Sequence, residues 1–207
     1  MTTEDALARE LRERIDAYWA AHRAACRLPS KAPDYDVEDG GVPKAMELGE
    51  PDADGWVGWR VVDSPVTAAE LDALEARVGP LPTALRAHLR AACQLLELRL
   101  DGTNVALPQV PSDDPLGPVE AALTSWPPLA QLGFVPFGSY ADGAGPICFD
   151  RERPTGDRDE RDFTVVWFDH DALHSSSPDA WADRAAVEAL ARPLAPSCRE
   201  LFLRCLG

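Results

Sequence analysis

Apolar residues recur at three- and four-residue steps in several stretches of the chain, and this spacing predicts amphipathic helices. The stripe of the first helix includes Leu7 and Cys26, and Thr3 precedes its acidic first turn as a helix cap does. The predicted helices are residues 4–27, residues 67–78 with a Thr67/Glu70 capping box, a segment starting at Pro82, one or two short turns within 115–132, a segment opened by Ser177-Pro178, and residues 197–206.

Short apolar runs bounded by glycine, proline and aspartate predict β-strands between these helices. The predicted strands are residues 56–62, 95–100, 134–138, 146–150 and 164–168. Turn residues Asp142-Gly143-Ala144-Gly145 and a polar loop over 151–162 join the last three strands, which predicts an antiparallel meander. Residues 29–55 are rich in proline, glycine and acids and predict a long connector.

The order of these elements limits the fold class. Strands and helices do not alternate in the way that builds a doubly wound parallel sheet. We therefore expect an α+β fold with a single antiparallel sheet, helices packed on one face, and an N-terminal helical extension.

Size and composition place the chain among globular proteins. With 207 residues and 45% hydrophobic residues, it buries about 70% of its unfolded surface by size scaling. No apolar run approaches the ~20 residues of a membrane span, so no membrane association is expected. The five cysteines form no CxxC pair, and residues 1–13 lack an apolar signal core. Both features predict a reduced, cytoplasmic protein with buried free thiols.

The formal net charge is −15, from 35 acidic and 20 basic side chains. The acidic excess is concentrated in two segments. Residues 31–60 carry eight acids and three bases, and residues 101–180 carry 14 acids and four bases. Phosphate contacts require Lys and Arg, so direct binding to nucleic acid or an anionic membrane is not expected. A negative face that attracts a basic partner is one interpretation. A charge spread over loops for solubility is the other.

Four segments in residues 67–206 resemble the SMI1/KNR4 superfamily, also called SUKH. They occur in the order found in that family and cover about two thirds of the chain. The segments are the helix-Gly-x-Leu-Pro-helix opening at Glu70–Leu85, the hairpin Phe134–Asp150, the late strand Val165–Asp171, and the closing segment Pro196–Phe202, in which Cys198 replaces the usual aromatic. By this resemblance, residues 67–207 are a SMI1/KNR4-like domain. Residues 1–66 are then an N-terminal helix, acidic connector and short strand packed on the same core.

The resemblance implies a function without catalysis. Bacterial members of the superfamily look like immunity proteins that bind and neutralise a cognate toxin, often a nuclease, and fungal members look like regulatory scaffolds. It therefore implies a protein toxin with a basic surface as partner, no cofactor and no catalytic residues. We expect a monomer or weak homodimer. A regulatory scaffold is the alternative.

Acidic residues around the predicted sheet, together with two tryptophans, are the candidate partner-binding residues. The loop 150–162 contributes several of them, but its six acids face four arginines, so other carboxylates must complete a negative surface. The set is Asp142, Asp150, Asp157, Asp159, Glu160, Asp162, Asp169, Asp171, Trp56 and Trp59.

One cluster of residues suggests metal chemistry. Carboxylates and imidazoles at Asp169, His170, Asp171 and His174 are ligand types for divalent metals, and a metal-dependent hydrolase using Asp169, His170 and His174 is the third hypothesis. On a strand, however, Asp169 and Asp171 point to one face and His170 to the other. We therefore expect a polar strand end and no metal site. Cys148, between two apolar residues, is expected to be a buried, inert thiol.

Overall fold

The computed structural model describes residues 2–24, 27–29, 41–156, 160–175, 181 and 183–207. Its helices and strands, in chain order, are α1 (Thr3–His22), β1 (Arg27–Pro29), β2 (Glu47–Leu48), β3 (Trp56–Trp59), α2 (Ala68–Val78), α3 (Thr83–Ala91), β4 (Leu98–Leu100), β5 (Thr103–Ala106), α4 (Gly117–Thr124), α5 (Pro127–Gln131), β6 (Phe134–Tyr140), β7 (Gly145–Pro154), β8 (Phe163–Trp167), α6 (His170–Ser175), α7 (Arg184–Glu188), β9 (Arg192–Ala195) and α8 (Cys198–Cys205). None of the described helices is long and apolar enough to cross a membrane.

A six-stranded antiparallel sheet, ordered β4-β5-β6-β7-β8-β9, is the centre of the fold. Each strand pairs with the one before it in the chain, which confirms the predicted meander and the α+β class. The sequence pattern did not predict β5 or β9. In β5 the apolar alternation is short, and β9 contains Pro193, a residue that sheets tolerate at an edge such as this one.

Turn chemistry sets the register of the first hairpin. Asp101 and Gly102 both have positive φ, 52° and 82°, the conformation that an Asp-Gly pair favours in a tight hairpin. This confirms the predicted turn after residues 95–100, although the strand itself is limited to Leu98–Leu100.

The longer helices cover one face of the sheet. Leu7, Leu11 and Ile15 of α1 are buried in the same core as Leu85 of α3 and Phe202 of α8. The capping box predicted for α2 is present, with Thr67 as its first residue. The first helix is capped by Thr2, one residue before the predicted cap, and ends at His22. Cys26 lies outside the described residues.

Short helices add a layer on the opposite face, which the sequence pattern did not predict. Leu129 of α5, Leu173 of α6 and Val187 of α7 pack there with Phe134 and Cys148. Successive residues of β7 point to opposite faces of the sheet. Cys148 packs under the short helices, whereas Ile147 and Phe149 pack in the core under the longer helices. The start predicted for the helix at Ser177-Pro178 lies outside the described residues, and α7 begins after its cap Asp183.

A small second sheet, ordered β1-β3-β2, also departs from the expected single sheet. Strand β2 lies inside the segment predicted as connector, and β3 ends three residues before the predicted boundary of 62. Trp19 of α1 donates its indole N–H to the carbonyl of Trp59 at 3.0 Å. The described parts of residues 1–66 therefore pack on the main core.

Candidate functional site

Asp150 was expected at a partner surface, and that expectation is wrong because the residue is only 1% exposed. Nη2 of Arg184 donates to both carboxylate oxygens at 2.7 and 2.8 Å, and the backbone N–H of Glu152 donates to one of them at 3.0 Å. Its charge is therefore used inside the protein.

Asp162 is also buried, at 4% exposure, so the expectation that it contacts a partner is wrong as well. Its carboxylate accepts hydrogen bonds from the backbone N–H groups of Phe163, Cys198 and Arg199, at 2.8, 2.9 and 3.1 Å. Two of these donors belong to the first turn of α8, where a carboxylate also compensates the positive end of the helix dipole. Asp162 thus holds the last helix to the sheet.

The remaining candidates in this part of the molecule are neutralised or outside the described residues. Glu160 is largely buried and accepts from Nη1 of Arg199 at 3.3 Å. Asp157 and Asp159 are not among the described residues. Consequently the loop 150–162, within its described residues, does not supply an unpaired negative surface.

The two candidate tryptophans lie on one strand but differ in exposure. Trp59 is 2% exposed and belongs to the main core, so it cannot contact a partner, contrary to the expectation. Trp56, three residues earlier on β3, is 44% exposed. It lies in the small sheet, apart from the carboxylates of the large sheet.

Asp142, Asp169 and Asp171 come together at one end of the large sheet. Asp142 lies in the β6–β7 turn. This turn contacts the start of α6, because the backbone N–H of His170 donates to the carbonyl of Ala144 at 2.7 Å. Gly145 makes this approach possible, because a Cβ there would lie 1.7 Å from the carbonyl oxygen of Phe168. Three of the ten sequence-predicted residues therefore form one acidic rim.

The charges of this acidic rim (Asp142, Asp169 and Asp171) are only partly compensated. Asp142 accepts from the neutral side-chain amide of Asn104 at 2.7 Å. Asp169 caps α6 by accepting from two backbone N–H groups, and Nη2 of Arg192 lies 3.6 Å from it. The side chain of Asp171 is fully exposed, and its Oδ1 lies 3.9 Å from Nδ1 of His170.

A cleft of about 410 Å³ lies against this rim. The segment after β5, helix α4, strand β6 and the β6–β7 turn form its walls. Its lining includes Pro108, Ala122, Trp126, Gly138, Ser139 and His170. Gly143 and His170 line it as well, and each precedes or follows a rim carboxylate in sequence. The cleft thus combines mainly apolar walls with a charged border, an arrangement common in binding sites.

Two histidines and a tryptophan form an aromatic group beside the cleft. Because residues 170–175 form a helix and not the predicted strand end, His170 and His174 lie one turn apart on the same face, with their Nε2 atoms 3.1 Å apart. The indole ring of Trp126 stands edge-on to both, at centroid distances of 5.7 and 5.9 Å. The ring of Trp181 is stacked with that of Trp126, at a centroid distance of 6.4 Å.

Sequence reasoning placed Trp126 in an apolar helical segment and did not assign it to a site. It lies 44 residues before His170 in the chain, so no local spacing relates the two. Trp126 lies between two short helices that each have a proline in the first turn, and it is partly exposed there. This position in the sequence was the one signal that could have indicated a role at the surface.

The described residues contain no group of three or more His, Cys, Asp or Glu side chains placed to hold a metal ion. Asp169, the third ligand in the hydrolase hypothesis, is occupied by the N-terminus of α6 and by Arg192. Cys148 and Cys198 are buried, which raises the pKa of both thiols, and burial raises the pKa of Cys205 to about 12. The expectation that Cys148 is a buried thiol is thereby confirmed.

Comparison with known proteins adds no family to these observations. A scan against protein-family models gives no match, and a search of curated proteins gives none either.

Proposed function

We propose that this chain is a binding protein of the immunity type, which neutralises a partner toxin by covering that protein's basic surface with the acidic rim and adjoining cleft. The observation that carries the proposal is the state of Asp142 and Asp171. Each is next in sequence to a residue that lines the apolar cleft, Gly143 or His170, and neither has a lysine or arginine partner among the described residues.

The ion pairs that arginines form elsewhere in the molecule support this assignment. Arg86 contacts the carboxylates of Glu4, Asp72 and Glu75, and Arg184 contacts Asp150 and Glu152. Basic side chains are therefore largely consumed by internal ion pairs in this acidic protein. The rim keeps a negative charge that an incoming Lys or Arg can neutralise.

The resemblance to the SMI1/KNR4 superfamily points to the same class of function. Its hairpin segment includes Asp142, and its late strand segment includes Asp169 and Asp171. The rim is thus built from two of the segments that carry the resemblance. A basic toxin surface of the kind that contacts nucleic-acid phosphates is a matching partner.

Neutralisation would proceed by occlusion. Carboxylates at the rim steer the two proteins together, and this effect acts mainly on the association rate. The apolar walls of the cleft and the indole of Trp126 supply the desolvated contact that slows dissociation, as aromatic anchors do at other interfaces. No bond is made or broken in the partner.

The test uses the toxin candidate encoded by the reading frame adjacent to this one in its genome. Purified partner is immobilised, and association and dissociation rates are measured at low and high salt. The D142N/D171N double variant should associate about tenfold more slowly at low salt, with little change in the dissociation rate. The matched control is D54N/E97Q, which removes two exposed carboxylates elsewhere.

Killing by the toxin, with and without co-expression of this chain, is the second arm. Rescue by wild type that weakens with the rim variant supports the proposal. Killing unaffected by co-expression would overturn it, as would equal association rates for the rim and control variants. A partner that binds this rim but has no toxicity would indicate the regulatory scaffold instead.

A further inference from the structure

The side chains of His170 and His174 place two imidazole nitrogens side by side at the protein surface. Their Nε2 atoms are 3.1 Å apart, and both belong to one face of α6. For metal–nitrogen bonds of about 2.0–2.1 Å, this separation corresponds to a nitrogen–metal–nitrogen angle of about 95–102°. That range lies between the octahedral and tetrahedral values, so a single ion fits between the two nitrogens.

We propose that His170 and His174 form a two-histidine chelate for a divalent transition-metal ion, with water completing the coordination in the isolated chain. The class of metal follows from the ligands. Imidazole suits Cu²⁺, Ni²⁺ and Zn²⁺, whereas Mg²⁺ and Ca²⁺ prefer oxygen ligands. The site is distinct from the three-ligand hydrolase centre, because Asp169 has other partners and is not required.

The surroundings favour a cation at this position. Asp171 is fully exposed, with its Oδ1 3.9 Å from Nδ1 of His170. Arg192 is directed to Asp169 at 3.6 Å and to the ring of Trp167. The local field is therefore negative, which lowers the cost of bringing a divalent cation to the two rings.

Trp126 limits the freedom of both rings. Its indole meets each imidazole edge-on, within 6 Å of both centroids. A chelate gains affinity when its ligands need little ordering on binding, and this contact holds the pair near its bound arrangement. It also places a fluorophore beside the site, so a bound Cu²⁺ ion should quench the emission of Trp126.

A hydrogen bond between two neutral imidazoles accounts for the same 3.1 Å distance. That bond needs one Nε2 to carry a proton and the other to accept it, and it competes with water at an exposed site. The two explanations differ in one respect: the chelate binds a metal ion tightly enough to be titrated, and a lone hydrogen-bonded pair does not.

Calorimetric titration of the full chain with CuCl₂, NiCl₂, ZnCl₂ and MgCl₂, in a buffer that does not bind metals, tests the proposal. We expect one ion per chain, with Cu²⁺ bound tightest and no heat from Mg²⁺. H170A and H174A should each weaken Cu²⁺ binding about tenfold or more. The control is H22A, because His22 is an exposed helical histidine without a second imidazole one turn away.

Fluorescence gives an independent measurement in the same samples. Cu²⁺ should quench wild-type emission with the same midpoint as the calorimetric titration, and W126F should show less of that quenching while it still binds the ion, the remainder coming from Trp181 stacked beside it. Since both histidines are exposed, the variants are expected to fold, and circular dichroism checks this.

Absence of heat with all three transition metals would leave a hydrogen-bonded pair only and would overturn the proposal. Unchanged Cu²⁺ affinity in H170A and H174A would also overturn it. These outcomes are independent of the toxin-binding proposal, which involves no metal ion.

Discussion

Arg184 holds the buried carboxylate of Asp150 through a single guanidinium nitrogen, which donates to both oxygens at 2.7 and 2.8 Å. The same guanidinium lies over the ring of Phe134, at 4.2 Å from its centroid. The pair joins α7 to β7, 34 residues apart in the chain, and so closes the second layer against the sheet.

Removal of Arg184 should cost more stability than removal of the Asp150 charge. In R184M, Asp150 keeps the backbone N–H of Glu152 at 3.0 Å and the half-exposed Arg153 at 3.6 Å, and a buried carboxylate without its main charged partner costs about 3–5 kcal/mol. In D150N, Arg184 still pairs with Glu152 at 2.8 Å, so a smaller loss is expected.

Urea unfolding of the two variants measures this difference. R77M is the control, because Arg77 and Glu120 form an exposed pair and its loss should cost less than about 1 kcal/mol. Equal losses for R184M and R77M would contradict a structural role for the buried pair.

Asp162 should contribute more than an ordinary helix cap. D162A removes the acceptor for three backbone N–H groups, two of them at the start of α8, and should cost about 2–4 kcal/mol. D162N retains one acceptor oxygen and should cost less. S197A, which removes the usual cap of the same helix, should cost about 1 kcal/mol.

Thermal or urea unfolding ranks these three variants. The expected order of stability loss is D162A, then D162N or S197A. The interpretation fails if D162A is no less stable than S197A.

His88 should make stability depend on pH. Burial lowers the pKa of His88 to about 4, although its Nε2 donates to the carbonyl of Pro108 at 3.0 Å. The unfolded chain, with a histidine pKa near 6.5, therefore binds the proton first as pH falls. The contribution of neutral His88 to the free energy of unfolding is therefore fully present above about pH 6.5. It is lost progressively as the pH falls towards 4, by about 3 kcal/mol in total.

Unfolding free energies at pH 7, 5.5 and 4.5 check this. The gap between wild type and H88Q should narrow as pH falls, since the variant has no imidazole to protonate. L89A, a buried neighbour that does not titrate, should stay parallel to wild type. If the unfolding free energies of H88Q and wild type changed in parallel with pH, protonation of His88 would not be the cause of the pH dependence.

Helix α1 should be an integral part of the fold. Leu11 is fully buried in the main core, so L11A should cost about 2–5 kcal/mol. The same substitution at Leu48, which is half exposed on β2, should cost far less. Comparable losses at the two positions would mean that α1 contributes little to the stability of the core.

Partly buried ion pairs also hold α1 to the fold. Glu4 accepts from Arg86 at 2.7 Å and from Arg90 at 2.6 Å, both on α3. The first 66 residues were predicted as an extension packed on the core, and their described helix and small sheet share its hydrophobic cluster.

Local signals predicted much of the fold because their causes are local. The capping box at Thr67 and Glu70 involves residues three apart, and the Asp101-Gly102 turn depends on two adjacent residues. The meander followed from apolar runs with short joins. The missed strand β9 needed a neighbour to pair with, since Arg192–Ala195 has no strong strand pattern of its own.

The candidate site was harder to predict because exposure is not a local property. Asp142, Asp150 and Asp162 look alike in sequence, each an acid beside a turn or strand. Their environments differ because the partners of Asp150 and Asp162 lie on α7 and α8, 34 and 36 residues away. Two of the three charges are consequently internal.

Sequence alone determined the fold class, the acidic balance and the burial of Cys148, since these depend on composition and on periodicity over a few residues. Tertiary structure decided which carboxylates remain available and brought Trp126 to His170 and His174. The physical reason is that charge pairing and burial are set by elements that meet only after folding. Of the ten residues chosen for a partner surface, the folded chain brings Asp142, Asp169 and Asp171 to one end of the large sheet, next in sequence to Gly143 and His170, which line the cleft.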